Sequence, residues 1–422
     1  HRDLHLSIRR QRQMCIRDRF NIDLLIASTP ENVTYLSDTV SWAPKVYSYS
    51  VDMFATYFRD NNLNASLIVP SQEMTYVSAS NTWINDFYTY GGKSALIQES
   101  EQVIESAEEN RYLNLQNSDD RRFPTAVEAL IASIKNNTTK KLRVAIDEDK
   151  MTHKYLLKLQ EELDNCELIP SSDLLRLIRM VKTDNEINAM KAAADLNEIA
   201  CTKACDEIKI GMKELDIAEI YAQVVGKGLG KWLWFHFGSG RRSVGIFPPT
   251  EKKIQAGEKW KFDAGLSLNN YQADTGWGGV IGQPNAQQNM IWEATLSGYD
   301  AAMSVIKEGV RPSEIQNAML KGTQDGGLTD HSGTFAGHAI GLEMRELPYV
   351  LGNKKMVNSL YLPEDTDIPL PENTVLCIEN PCQIFGVGGT QIEQTIIVKK
   401  NGCELLTKQD RKLWICLLYT SP

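Results

Sequence analysis

A small α/β domain followed by a larger α+β domain is the fold class this sequence predicts, and three observations carry that expectation. A chain of 422 residues is too long for one ordinary hydrophobic core. From Phe20 onward, short apolar strand-like runs alternate with helical stretches. Beyond a capping-box signature at Thr183-Asp-Asn-Glu186, long helices are interspersed with β-like runs that carry acids, as in an α+β domain.

In chain order, residues 22–27 read as a strand and residues 31–38 as the loop after it. Residues 65–70 and 143–146 read as further strands, with helices over 126–135 and 155–164 between and after them. The boundary is expected near residues 174–182, which makes 20–175 the first domain and 176–405 the second. Thr183 can accept from the Glu186 amide while Glu186 reaches back, so a helix starts there. Its apolar face is expected to hold Ile187, Met190, Ala194 and Ile199, with Cys201 and Cys205 as small core residues. A helix over 214–225, a β run over 232–237, a turn over 254–258 and helices over 289–306 and 312–320 follow.

The two ends read differently. Residues 14–18 back-translate as ATG TGT ATA AGA GAC and residues 416–421 as TGT CTC TTA TAC ACA TCT, which overlap as reverse complements of one transposon sequencing adaptor. Residues 1–19 and 416–422 are therefore expected to be adaptor scars without a part in the fold. Residues 1–19 hold six Arg and two Asp, so without them the net charge moves from −9 to −13. An acidic protein with no Lys/Arg cluster in its body is not expected to bind nucleic acid, and no apolar run reaches the roughly 20 residues of a membrane span. A peptide or other small molecule is the expected partner. Setting Cys15 and Cys416 aside leaves six cysteines with no Cys-x-x-Cys pair, the usage of a cytoplasmic protein with reduced thiols.

Four acids and one histidine stand where packing alone would not put them. Asp263 ends Lys-Trp-Lys-Phe-Asp, Asp274 lies in Tyr-Gln-Ala-Asp-Thr, Glu379 closes Val-Leu-Cys-Ile-Glu, and Glu393 interrupts Gln-Ile-Glu-Gln-Thr-Ile-Ile-Val. Acids within β runs need a cation or hydrogen-bond donors, and His338 in Ala-Gly-His-Ala-Ile-Gly adds a nitrogen donor. Four hard oxygen donors and one imidazole suit a pair of divalent ions such as Mn²⁺, Co²⁺, Fe²⁺ or Zn²⁺, with Mn²⁺ first. Cys377 shares a strand face with Glu379, either as a neighbour of that site or as core packing.

This order of residues resembles the pita-bread metallopeptidases, which include prolidase, aminopeptidase P and methionine aminopeptidase, over roughly residues 20–404. The Asn-Val-Thr-Tyr-Leu-Ser segment is similar to the start of the creatinase-type domain that precedes the catalytic half of prolidases. The resemblance implies that Asp263 chelates one metal, that Asp274 and Glu393 bridge both, and that His338 and Glu379 bind the other. It also implies hydrolysis of Xaa-Pro bonds by a hydroxide held between the metals, with Glu379 moving the proton, in a homodimer.

Several positions depart from the family. Arg345 stands where a histidine is usual, Gln391 replaces an Arg, Ala273-Asp-Thr-Gly-Trp277 replaces Ser-Asp-x-Thr-Arg, and Ile246 and Phe247 stand near an expected histidine. Arg345 suits a substrate carboxylate, or else pairs with Glu343 or Glu346. His331 and His236 are either further substrate-binding groups or structural histidines. A metal-free creatinase-like amidinohydrolase, a dimethylsulfoniopropionate lyase and a catalytically silent member remain alternatives. The five retained ligands argue against the first, and Lys261, where the lyases carry an aspartate, argues against the second.

Overall fold

The computed structural model describes residues 20–93, 95, 104–333, 335–351, 367–408 and 410–416. The chain divides into two compact units between Ile178 and Arg179. Among the described residues no helix is long and apolar enough to cross a membrane.

The first unit is built on strands β1 (Leu24–Ala27), β2 (Phe54–Phe58), β3 (Ser66–Pro70), β4 (Asp86–Tyr90), β5 (Arg122–Phe123), β6 (Arg143–Ile146) and β7 (Glu167–Pro170). They form one sheet in the order β5-β4-β3-β2-β1-β6-β7, in which β2 runs antiparallel to its neighbours and the other pairs are parallel. The Leu-Leu-Ile-Ala run of β1 is buried along its whole length, as a central strand covered on both faces requires. The helix Ala126–Asn137 supplies Val127, Leu130, Ile131 and Ile134 to the core against it.

Residues 31–38, expected as a loop, are instead the helix Pro30–Ser37 closed by Asp38. The Thr29 side chain accepts from the Asn32 amide, Pro30 occupies the first turn, and Asp38 ends the helix in a left-handed conformation at φ 56°. The buried Asp147 carboxylate at the end of β6 accepts from the amides of Ser28 and Thr29 and from the side chains of Thr29 and Asn32. That anion on the helix N-terminus outweighs the weak helix propensity of Val33 and Thr34.

The second unit contains β8 (Lys231–Ser239), β9 (Lys259–Leu268), β10 (Tyr271–Ile281), β11 (Phe335–Ala339), β12 (Glu346–Leu351), β13 (Val375–Glu379), β14 (Cys382–Ile384), β15 (Gly388–Thr390), β16 (Glu393–Lys399), β17 (Gly402–Leu405) and β18 (Trp414–Cys416). Nine of these form a sheet in the order β12-β11-β13-β16-β10-β9-β8, with β17 beside β16 and β18 beside β10, while β14 and β15 pair separately. The helices Asp184–Asp206, Glu214–Lys227, Ala286–Val305 and Pro312–Asp325 share one core with this sheet. The strand period sorts the side chains. Phe235 and Phe237 of β8 stack with Trp260 and Phe262 of β9 on the core face, so Trp234, His236, Lys261 and Asp263 belong to the other.

The capping box at Thr183 is present, with the Glu186 carboxylate 2.8 Å from the Thr183 amide. Met190, Ala194, Cys201 and Cys205 are buried along the helix it starts, but Ile199 is 60 % exposed. It lies nine residues after Met190, two and a half helical turns, and so projects from the opposite side.

Cys416, excluded from the fold in the sequence reading, lies in β18, which pairs parallel to β10 through Gly279, Val280 and Ile281. Its carbonyl accepts from Gly282 at 2.8 Å and its side chain is buried in the core. β10 is registered with β16 only at Gly276, and the apolar Trp-Ile-Cys strand takes up β10 from Gly279 onward. Residues 1–19 and 417–422 lie outside the described residues.

Candidate metal centre

Strand pairing brings together the five expected ligands, the first and last of which, Asp263 and Glu393, are 130 residues apart in the chain. In one transverse row of the sheet, His236 of β8 faces Asp263 of β9, Asp263 faces Gly276 of β10, Gly276 faces Glu393 of β16, and Glu393 faces Glu379 of β13. Two residues along the strands a second row holds Thr395, Cys377 and His338, with Tyr349 beyond them. Asp274 joins it from β10, two residues before Gly276, and its carbonyl accepts from Thr395 Oγ1 at 3.2 Å. Asp263, Asp274, His338, Glu379 and Glu393 are all less than a tenth exposed.

Ligand atoms of Asp263, Glu379 and Glu393 lie within 4.8 Å of one another, and so do those of Asp274, His338, Cys377 and Glu393. Glu393 belongs to both groups, as a bridging carboxylate must. Glu379 falls in the group of Asp263 and Asp274 in that of His338, while Glu379 is also the leading charged neighbour of His338, and Asp263 that of Asp274. His338 Nδ1 is 2.9 Å from the Ala339 carbonyl, which makes Nδ1 the donor and leaves the Nε2 lone pair pointing inward, 3.4 Å from Asp274 Oδ2.

Gly276 sits at the centre of the first row, where a Cβ would fall 2.4 Å from Gln391 Nε2 and 2.8 Å from Glu393 Oε2. The missing side chain lets Gln391 reach in between the carboxylates of Glu393 and Asp263. Further donors hold the acids in place. Trp234 Nε1 donates to Asp263 Oδ1 at 2.7 Å, and Gln391 Nε2 donates to Glu393 Oε2 at 2.9 Å and reaches Asp263 Oδ2 at 3.4 Å. The Asn380 amide group anchors the end of β13 to the Thr295 carbonyl and Thr323 Oγ1.

The acids outnumber these donors. Burial, then the charge of Asp263, pushes the Asp274 carboxyl well above the usual range, and burial, then Asp274, does the same for Glu393. Glu379 is pushed to about 7 by burial and then by Asp263. Asp274 Oδ1 is buried without a hydrogen-bond partner. Burial lowers the pKa of His338, so its ring is neutral at pH 7 and ready to ligate. Lys261, buried on the face of Asp263, has its pKa lowered by burial against the pull of Asp263, Glu379 and Glu393. A buried set of carboxylates with a neutral imidazole and an orphaned oxygen fits divalent cations.

Arg345 is exposed, and its guanidinium lies over the Phe335 ring at 5.2 Å. The expected alternative of a pair with Glu343 or Glu346 is not what forms. Glu343 is taken by Arg179, and buried Glu346 by Lys182 at 2.9 Å and Arg179 at 3.2 Å. The positive charge of Arg345 reaches Asp274, Glu379 and His338. His236 lies beside Asp263 with Nδ1 buried and unpartnered. His331 stands apart from the acids, lining a cavity of about 130 Å³ with Phe335, Asn380 and Pro381, just past Glu379.

Trp234 was missed in the sequence. The signal is its position two residues before His236 in an alternating run, with Gly265, two after Asp263, leaving space for the indole.

The profile of metallopeptidase family M24 matches residues 188–400, half of the chain, and that of the creatinase/prolidase N-terminal domain matches residues 9–181. The chain belongs to metallopeptidase family M24. It is accordingly a metal-dependent peptidase, with a pita-bread catalytic domain behind a creatinase-type N-terminal domain. The N-terminal match begins inside the segment read as adaptor. The Xaa-Pro dipeptidase of Pyrococcus horikoshii is 25% identical over 374 residues, covering 87% of this chain and 99% of the relative. A Xaa-Pro dipeptidase structure from Bacillus anthracis superposes with a TM-score of 0.76 at 20% identity over 97% of this chain and 99% of that one. The prolidase structure from P. horikoshii gives 0.73 at 21% identity over 96% and 99%.

Proposed function

We propose that this chain is a dipeptidase of Xaa-Pro substrates that works with two divalent ions, held by Asp263, Asp274, His338, Glu379 and Glu393. The observation that carries the reading is the pair of adjacent ligand groups sharing Glu393, with an orphaned Asp274 oxygen among them. The similarity to Xaa-Pro dipeptidases over nearly the whole chain supports the substrate class. Mn²⁺ leads the candidate ions on the count of oxygen donors. Bound ions would lower the pKa of water toward neutrality and polarise the scissile carbonyl.

The chain's own residues do the rest. Glu379 takes the proton of the attacking water and passes it to the leaving proline nitrogen. Trp234 and Gln391 hold Asp263 and Glu393 in fixed orientations. Arg345, free of acid partners on its own strand turn, binds the carboxylate of the proline. His236 beside Asp263 and His331 past Glu379 line the approach of the peptide. In this reading residues 20–175 and 176–405 are the two domains, and the enzyme is a cytoplasmic homodimer. The free cysteines among the described residues, Cys416 included, agree with a reducing compartment.

Elemental analysis of metal-loaded protein, combined with hydrolysis of a panel of Xaa-Pro and Xaa-Ala dipeptides, tests the reading. Two equivalents of metal and preferential cleavage of Xaa-Pro are expected. Stoichiometric metal without turnover of any dipeptide would move the chain to a non-peptidase branch of the fold, and absence of metal would reject the ligand set.

A further inference from the structure

We propose that Cys377 is a sulfur ligand of the centre, and that it makes the position shared with His338 prefer a thiophilic ion such as Zn²⁺, Co²⁺ or Fe²⁺ over Mn²⁺. The inference rests on the two-metal reading and deepens it, because it makes the two positions chemically unlike. Cys377 lies directly opposite His338 on one side and Thr395 on the other, with its side chain on the face of Glu379. The residue is fully buried, and Sγ lies within 4.8 Å of a ring nitrogen of His338 and carboxylate oxygens of Asp274 and Glu393. Donors on one ion at bond lengths of about 2.0–2.3 Å stand at most about 4.5 Å apart, so these four atoms already span close to a single coordination shell.

A second, independent observation points the same way. Asp274 Oδ1, in this same group, is buried with no hydrogen-bond partner, a state that a cation between it and Sγ would relieve. The thiol's own hydrogen-bond neighbour is Thr395 Oγ1 at 3.4 Å, a weak contact, and that hydroxyl donates to the Asp274 carbonyl. No strong bond holds the sulfur away from an ion. The first group, Asp263 with Glu379 and Glu393, offers oxygen alone and suits Mn²⁺. The second offers oxygen, imidazole nitrogen and sulfur, which suits a softer ion. As the sulfur–metal bond forms the S–H bond breaks, and the proton leaves to solvent.

The test is a Co²⁺ titration of the metal-free full chain, read by absorption, with Zn²⁺ and Mn²⁺ isotherms on wild type, Cys377→Ser and Cys377→Thr. Wild type is expected to gain a near-ultraviolet thiolate-to-Co²⁺ charge-transfer band that both variants lack. Their Zn²⁺ affinity is expected to fall by about tenfold or more while Mn²⁺ affinity at the oxygen-only position stays the same. The wild-type band needs no substitution, so the proposal is testable even if a variant folds poorly. Co²⁺ bound by wild type without the band, a band that persists in the variants, or an unchanged Zn²⁺-to-Mn²⁺ preference would overturn the sulfur ligand while leaving the two-metal reading standing. If wild type binds none of the three ions, both fall.

Discussion

Replacing Arg345 with Ala tests substrate recognition, because the side chain stacks on Phe335 and acts on Asp274, Glu379 and His338 only through its charge. Its neighbouring acids are neutralised without it: Glu343 by Arg179 and Glu346 by Lys182 and Arg179. The substitution therefore leaves the ion pairs of Glu343 and Glu346 intact. The lost stacking on Phe335 at 5.2 Å costs about 0.5–1 kcal/mol at an exposed site. A charge-assisted hydrogen bond to a substrate carboxylate contributes about 1.5–3 kcal/mol, so KM for a free-acid Xaa-Pro dipeptide should rise about 10- to 150-fold. The amidated dipeptide lacks the carboxylate and should be affected much less. Arg345→Lys should recover part of the loss, since it keeps the charge but not the planar fork. Steady-state kinetics of metal-loaded enzyme on both substrates, with thermal unfolding as a control, decide the matter. Equal losses on acid and amide, or a fall in Tm large enough to explain both, would refute the assignment of Arg345 to the substrate.

Asp263→Asn and Glu393→Gln should each lose high-affinity metal binding, read by elemental analysis after dialysis, while far-ultraviolet circular dichroism stays that of a folded protein; two equivalents retained in either would reject these ligands. In the N-terminal unit, burial pushes buried Glu73 up to about 7 from 4.5. The folded state holds that proton through the window in which the unfolded chain has lost it, so stability falls as pH rises from about 4.5 to 7. Glu73→Gln should remove that slope, gaining up to about 3 kcal/mol at pH 8 and little at pH 4.5 in denaturant titrations, and an unchanged slope would mean that Glu73 is charged in the fold. Removing residues 1–19 and 417–422 should leave Tm unchanged, whereas removal extended through Trp414–Cys416 should lower it by uncovering β10; a large loss from the first truncation would return those ends to the fold.

Residue chemistry and strand period by themselves determined the kind of site. Acids at Asp263, Asp274, Glu379 and Glu393 interrupt apolar β runs, where they need a cation or hydrogen-bond donors, so the cluster of buried acids around His338 was legible without coordinates. The cap at Thr183 was equally local, because its two hydrogen bonds span three residues. Local patterns failed where two signals competed. Residues 31–38 hold β-branched and turn residues, yet the Asp147 carboxylate, 118 residues from Thr29, captures the start of a helix there.

Register across the sheet was out of reach of the sequence, and it decides which candidate ligands adjoin. Only pairing between β9, β10, β13 and β16 brings Glu393 near both Asp263 with Glu379 and Asp274 with His338. The same pairing places Cys377 opposite His338, where a strand face alone left it as either core or neighbour. Arg345 shows the reason most plainly. Its nearest acids in sequence looked like its partners, but Lys182, 164 residues from Glu346, and Arg179, 164 residues from Glu343, reach those acids first. A buried carboxylate pairs with whichever cation the fold brings to it, and chain proximity does not settle that choice.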